Sequence, residues 1–303
     1  MIETAAVLGS GAVARALLEA LPAAGIRVLA SWRRGSGLEP PPLRDVDAVL
    51  LAVSDQAIAD VCRRLEVGPG QLVVHLAGAL GLSPLRSARL KGARTGSLHP
   101  LRAFTKNVLH DFRGAAAGVA GSDATAIADL AALATRLGMI PLPAPHRSRA
   151  LYHAAAVLAA GGQVALFAEA VRAFQKATGV AEPQARAALL PLALSALQKL
   201  SRDPPAAAIT GPAARGDTAT IAAHRRALPR DLLSIYDQLT GVALGLKRLR
   251  AGGSPEAVPA SRSSRPRRRR PVGERPSASS RSPAPRDRRR GRRPRVRGSR
   301  RRR

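Results

Sequence analysis

The chain has 303 residues, 46% hydrophobic and only 2% aromatic, so a sizeable core is possible and must be built from Ala, Leu and Val. The net charge of +29 is concentrated: residues 251–303 hold 20 arginines against three carboxylates (Glu256, Glu274 and Asp287), which places +17 there. The single cysteine, Cys62, excludes an intrachain disulfide, and with no metal-ligand spacing this points to a reducing, cytoplasmic setting.

Ala5–Leu8 reads as a strand. It runs into VLGSGAVARAL (residues 7–17), which has G-x-G-x-x-A spacing at Gly9, Gly11 and Ala14. A helix follows to about Leu21, Pro22 to Gly25 break it, and Ile26–Ala30 is a second strand. A glycine turn between a strand and a helix is the setting a dinucleotide pyrophosphate needs. Gly9 permits the tight turn, Gly11 lets the backbone approach the phosphates, and Ala14 permits close helix–strand packing. The backbone of Ser10, Ala12 and Val13 completes the seat at the positive end of the helix.

The second strand runs out in SWRRG. An NAD site usually has a carboxylate there for the ribose 2′-OH. Here Ser31, Arg33 and Arg34 offer a hydroxyl and two guanidiniums, which suit a 2′-phosphate, so NADP(H) is expected rather than NADH. Trp32 is read as lying against the adenine.

Asp47–Val53 is a continuous apolar run, expected of a strand buried on both faces. It ends in Val53 and Ser54, placed near the nicotinamide ribose, with Asp55 as a cap of the next helix. That helix, Gln56–Leu65, carries Cys62 as a small buried hydrophobe. Gln71–Leu76 is a fourth strand and Gly96–Leu98 the end of a fifth. Ala115–Ala120 and Met139–Leu142 flank a helix capped by Ser122 or Asp123. The alternation predicts an α/β fold with an open, mostly parallel, doubly wound sheet.

After about Pro145 only helices are expected: Ser148–Thr178, Glu182–Leu200, Thr218–Leu228 and Asp231–Leu249. The divisions are therefore an α/β domain at 1–145, a helical domain at 146–250 and a tail at 251–303. The tail has too few apolar residues to offset chain entropy, so disorder is expected. Its arginines would bind nucleic acid without reading sequence, although Arg/Pro/Ser/Gly text is also what a GC-rich gene encodes in a shifted frame. The N-terminus lacks a basic leader. The longest uncharged stretch, Ala154–Ala168, is shorter than the ~20 residues of a spanning helix, so no membrane insertion is expected.

Several phrases together carry a resemblance: the glycine turn, VLLAVSDQAI, VVHLAGALG, GSLHPLRAF, LYHAAAVLAA, and ITGPAARGD followed by His224. From about residue 3 to 245 the chain resembles the bacterial Rossmann-like proteins that carry the domain of unknown function 2520. That family looks like a relative of pyrroline-5-carboxylate reductase, 6-phosphogluconate dehydrogenase and other β-hydroxyacid dehydrogenases. The resemblance implies an NADP-binding N-terminal domain and a helical C-terminal domain at a homodimer interface, and some members are alternative ketopantoate reductases. Where the family usually reads YHAAAVFASN, the Asn position is Gly161 here.

Reducing a carbonyl or imine requires a hydride, a proton donor and a group that holds the substrate. His99, in S-L-H-P, is read as proton donor or substrate hydrogen-bonder, or else as a histidine bonding loop backbone. His153 follows Tyr152 in the helix where related hydroxyacid dehydrogenases carry a catalytic Lys. No Lys occurs between Lys106 and Lys176, so the acid there is His153 or Tyr152. An imidazole of ordinary pKa, about 6.5, suits the role. Arg215, in T-G-P-x-x-R-G-D, is read as binding a substrate carboxylate, and Asp217 as fixing its guanidinium or capping the following helix. His224 lies further along that helix. The loop could equally be a structural corner. His75 is read as a strand-end packing residue, and His110 and His146 carry no signal. The resulting expectation is an NADPH-dependent oxidoreductase acting on a small anionic substrate, a 2-keto acid such as ketopantoate or a pyrroline-5-carboxylate-like imine. The alternative is a non-catalytic NADP(H)-binding sensor or scaffold whose tail contacts nucleic acid.

Overall fold

The computed structural model describes residues 1–33, 40–105, 111–145 and 147–252. Arg34, His110, His146 and the arginine-rich tail beyond residue 252 lie outside the described residues, and so do the readings made for them. The α/β half contains β1 (Thr4–Leu8), α1 (Ala12–Ala23), β2 (Arg27–Trp32), β3 (Ala48–Leu51), α2 (Ile58–Arg64), β4 (Leu72–His75), α3 (Arg86–Leu90), β5 (Arg94–Pro100), β6 (Ala116–Gly121), α4 (Ala124–Arg136) and β7 (Ile140–Pro143).

The strands form one sheet in the order β2-β1-β3-β4-β5-β6-β7. The first five are mutually parallel, β6 is antiparallel to β5, and β7 is parallel to β6. Successive residues of each buried strand feed opposite faces. Val7, Leu50 and Val74 join Leu17, Leu21, Leu130 and Leu133 from α1 and α4. Leu8, Leu51 and Val73 join Ile58, Val61, Cys62, Leu85 and Ala88 from the α2 and α3 side. Two apolar layers sandwich the sheet, which is the doubly wound arrangement. The parallel strands all end at one edge, and the chain reverses direction of winding between β1 and β3, where open α/β sheets place their ligands.

Two expectations are corrected. Trp32 is only 7% exposed and packs in the second apolar layer with Leu43 and Val46, so it is a core residue and not an adenine platform. The cause is a register irregularity: opposite Ala5 and Ala6 of β1, the pairing on β2 skips from Val28 to Ala30. The extra residue, Leu29, moves Ala30 and Trp32 to the face opposite Val28. The expected single helix Ser148–Thr178 is two, α5 (Arg149–Ala159) and α6 (Gly161–Thr178). Ala160 leaves helical geometry at φ −120°, ψ −84°, immediately before the Gly161–Gly162 pair, a common kind of helix kink. Elsewhere the boundaries agree within a few residues. Asp123 is the cap of α4, its carboxylate accepting from the Ala126 amide at 2.8 Å.

The helical half continues with α7 (Glu182–Gln198), α8 (Pro205–Ala208), α9 (Pro212–Arg215), α10 (Thr218–Ala227) and α11 (Arg230–Arg250). α6 packs on α7, and α11 on α8 and α9. Leu151, Leu158, Val164 and Leu192 are each between 66% and 72% exposed. The stretch Arg149–Thr178 is, by length and composition, apolar enough to cross a membrane, which the shorter uncharged run in the sequence does not suggest.

Candidate active site

The glycine turn lies at the carboxyl end of β1. The Gly9 amide donates to the Trp32 carbonyl at 2.7 Å, and the Ala52 amide to the Leu8 carbonyl at 2.8 Å, which draws the ends of β1, β2 and β3 together. Gly9 has φ +148°, and a Cβ there would lie 2.1 Å from the Ala52 carbonyl oxygen, so only glycine fits. Gly11, the residue capping α1, faces open space: a Cβ would meet nothing within 4 Å. No side chain caps α1. Ser10 and Gly11 are exposed, Ala12 and Val13 half-buried, and Ala14 is fully buried against the sheet. Ser31 and Arg33 are exposed at the end of β2, directly beside this turn, and Val53 and Ser54 follow β3.

A second group of side chains meets at the ends of β4 and β5. His75, buried at the end of β4, accepts from the Ala77 amide through Nδ1 (3.2 Å), so its Nε2–H donates to the Gly81 carbonyl (2.9 Å). These bonds pin the loop that carries Gly78. Burial, opposed by the Gly81 bond, lowers the His75 pKa and keeps it neutral. His75 is thus a packing and loop-fixing residue, as read from the sequence.

His99 projects from β5, and its Nδ1 lies 3.0 Å from the Tyr152 hydroxyl on α5. The rings of His99 and His153 stand edge to face with centroids 5.6 Å apart. Both converge on Gly78. A Cβ there would be 2.4 Å from His153 Nδ1 and 2.7 Å from His99 Nε2. His153 Nδ1 is buried and has no hydrogen-bond partner among the described residues, which marks it as a group awaiting one. Arg149, on the first turn of α5, is 5% exposed. It donates to the Ser97 hydroxyl and to the Gly78 carbonyl, and its guanidinium lies 5.9 Å from the Tyr152 ring centre. Burial, followed by the charges of His153, Arg149 and His75, pushes the His99 pKa down to about 4. His99 is therefore neutral at physiological pH, which removes the imidazolium from its possible roles and leaves that of hydrogen-bonder.

His99, Tyr152 and His153 open onto a cleft of about 620 Å³. Its walls are otherwise mostly aliphatic, from Pro100, Leu101 and Ala155 to Ala160, with Gly161 at one end and Arg102 as the permanent charge. Gly161 has nothing within 4 Å of a built Cβ, so the position is open to the cleft. Arg215 and Asp217 do not line this cleft. Arg215 is exposed at the end of α9, and Asp217 caps α10 by accepting from the Thr220 amide (3.0 Å) and hydroxyl (2.6 Å). His224 bonds Tyr236 across α10 and α11 at 2.8 Å. Ser97, Gly78, Arg149 and Arg102 were not singled out by the sequence, although the first two and the last sit inside the phrases VVHLAGALG and GSLHPLRAF.

A doubly wound sheet with a glycine turn at its switch point, followed by a helical half, defines a Rossmann-like α/β protein. Within that class, residues 115–242 match the family model described as Domain of unknown function (DUF2520), in agreement with the resemblance read from the motifs. No curated protein matches the chain. Among solved structures, protein TM1727 from Thermotoga maritima is similar at a TM-score of 0.65 and 21% identity, covering 82% of this chain and 99% of that one. Pyrroline carboxylate reductase from Plasmodium falciparum, with NADP bound, is similar at 0.54 and 12%, covering 84% and 100%. Reductive aminase from Aspergillus terreus, in complex with NADPH and ethyl levulinate, is similar at 0.55 and 16%, covering 85% and 97%. At these identities the likeness establishes the shared fold.

Proposed function

We propose that the protein is an NADP(H)-dependent oxidoreductase that reduces a small carbonyl or imine bearing a carboxylate. The observation that carries this reading is the placement of two features on one sheet edge. One is a glycine turn that leaves a bare helix N-terminus facing open space. The other is a histidine-lined cleft containing an unpartnered, buried His153 Nδ1. Structural relatives that bind NADP or NADPH support the cofactor.

The chain's residues fit the group at this place. Gly11 leaves room for a pyrophosphate, the backbone from Ser10 to Val13 lies at the positive end of α1, and the exposed Arg33 would answer a 2′-phosphate, with Arg34 next to it in the sequence. Ser31 would bond the adenosine ribose, and Val53 and Ser54 would border the nicotinamide ribose. When bound, NADPH supplies the hydride. His99, neutral, donates Nε2–H to the substrate oxygen or nitrogen and holds it above Gly78. His153 delivers the proton from the same point. The aliphatic cleft takes the substrate's apolar body, and Arg102 holds its carboxylate, the task the sequence assigned to Arg215. Arg215 and Asp217 are then a structural corner.

The exposed apolar residues of α5 to α7 support a homodimer, not a membrane span: Arg149 is tied into the sheet at one end, Ala160 breaks the helix, and Glu169 pairs with Arg172 on α6. The protein is placed in the cytoplasm. On this reading 1–145 is the cofactor-binding part and 146–250 the substrate and dimer part of one compact unit, Met1–Pro255. NADPH oxidation is the test, measured against ketopantoate, pyrroline-5-carboxylate and short 2-oxo acids. Turnover with at least one, lost in the His99→Ala, His153→Ala double variant, is expected. NADPH binding without turnover of any would favour the sensor reading.

A further inference from the structure

Arg149 is a buried cation without an anion. It is 5% exposed, and among the described residues no carboxylate pairs with it. Its donors go instead to neutral acceptors, the Ser97 hydroxyl on β5 and the Gly78 carbonyl after β4. Burying an unneutralised charge is expensive, and a guanidinium does not escape the cost by losing its proton. A hydrophobic or amide side chain would tie α5 to the sheet at far lower cost. The charge sits immediately beneath the point where His99 Nε2 and His153 Nδ1 converge.

We propose that Arg149 is a positioning residue that helps hold His99 in its neutral form. Its fixed charge, bonded at Gly78 beside the ring, adds to the effect of burial. In that form Nδ1 accepts from the Tyr152 hydroxyl, and Nε2 carries the hydrogen toward the site above Gly78. His99 is faced by His75 from β4 and by Tyr152, His153 and Arg149 from α5, while Arg102 follows just after its own strand and β6 opposite presents Gly118. None of these groups is acidic, so nothing near His99 favours the imidazolium. Burial lowers the His99 pKa first, His153 next, and the fixed charge of Arg149 adds to both. The sign follows directly: removing a positive charge makes protonation easier, so the His99 pKa rises in Arg149→Gln and is retained in Arg149→Lys. A merely structural arginine would change stability and leave the imidazole titration where it was. The inference rests on the reading of His99 as the substrate-facing hydrogen-bond donor, but its test needs neither cofactor nor substrate.

The experiment is an NMR titration of the histidine rings of the full chain, in wild type, Arg149→Lys and Arg149→Gln, with Tyr152→Phe to assign the His99 signal. The expected result is a wild-type His99 that stays neutral with Nε2 protonated down to about pH 4. The lysine variant should match it, and the glutamine variant should titrate at a higher pH. A wild-type His99 titrating at its ordinary value near 6.5, or protonated on Nδ1, overturns the proposal. An unmoved His99 in a folded Arg149→Gln protein also overturns it. If that variant does not fold, a wild-type value near 6.5 still overturns the proposal, and Arg149→Met, which keeps the side chain's length without its charge, carries the comparison. Failure of NADPH binding or turnover would remove the reductase reading and leave this titration unaltered.

Discussion

The Tyr152 hydroxyl lies 3.0 Å from His99 Nδ1, linking the first helix after the last strand to the end of β5. Burial raises the tyrosine's pKa, against the opposing charge of Arg149, so the phenol keeps its proton and donates to Nδ1 in the His99 tautomer proposed above. Tyr152→Phe leaves His99 Nδ1 without that donor. Stability should fall by about 1–3 kcal/mol. The rate constant kcat should fall roughly 10- to 100-fold, while the Kd for NADPH is unchanged. Steady-state kinetics with calorimetry of the cofactor checks both, and an unaltered kcat would show that His99 needs no orienting partner.

Gly78 is where both imidazoles pass closest to backbone. In Gly78→Ala the new methyl would sit 2.4 Å from His153 Nδ1, so the rings must rotate away. Side chains can move more cheaply than backbone, so the melting temperature should drop by only a few degrees, roughly 1–2 kcal/mol. Displacing the reacting groups by about 1 Å should cost on the order of 100-fold in kcat/KM. Differential scanning calorimetry beside kinetics separates the two effects. Full activity in this variant would mean that the convergence above Gly78 is not where substrate binds.

Arg102 is the permanent charge of an otherwise mostly aliphatic cleft. Arg102→Gln should raise KM for a carboxylate substrate about 10-fold or more with little change in kcat, because the contact is equally present before and during reaction. Arg102→Lys should restore part of it, and the ester of the same substrate should respond to neither change. A carboxylate substrate whose KM ignores Arg102→Gln would return the task to a residue outside this cleft.

Stability at low pH depends on Asp47. Its carboxylate accepts from the amides of Glu3 (2.9 Å) and Thr4 (2.8 Å) and from the Thr4 hydroxyl (2.9 Å), fixing the start of β1 to the entry of β3. Burial raises its pKa, but the bonds from Glu3 and Thr4 outweigh that and leave it below the ordinary 3.8. A depressed folded-state pKa adds stability above the unfolded value and loses it as pH falls through the folded one. Asp47→Asn should therefore cost about 1–2 kcal/mol at pH 7, and the gap from wild type should narrow as pH falls below about 4 in urea melts. A gap that does not narrow on acidification would assign the effect to packing.

The glycine turn was legible because its meaning is local: the spacing of Gly9, Gly11 and Ala14 falls between one strand and one helix. The parallel strands were legible because double-sided burial writes itself as unbroken apolar text such as Val49 to Leu51. Trp32 was misread because its face depends on a register irregularity against β1, which no property of β2 alone discloses. The break at Ala160 was available in the Gly161–Gly162 pair and was outweighed by the alanine-rich run around it. Arg149 and Gly78 gain their meaning only where β4, β5 and α5 meet, some 71 residues apart in the chain. Arg215 drew attention by its conspicuous loop, but folding puts it beside α11 and Arg102 in the cleft.

The central claim is that a nicotinamide dinucleotide phosphate lies over the amino end of α1. Isothermal calorimetry on the full chain tests it most directly, with NADPH, NADH and the Gly11→Val variant, whose Cβ would enter the open space with nothing described within 4 Å of it. The account predicts a Kd for NADPH on the order of 1–100 µM, weaker binding of NADH, and loss of both in a folded Gly11→Val protein. Absence of heat from either coenzyme at about 1 mM, or undiminished binding in the valine variant, would contradict it.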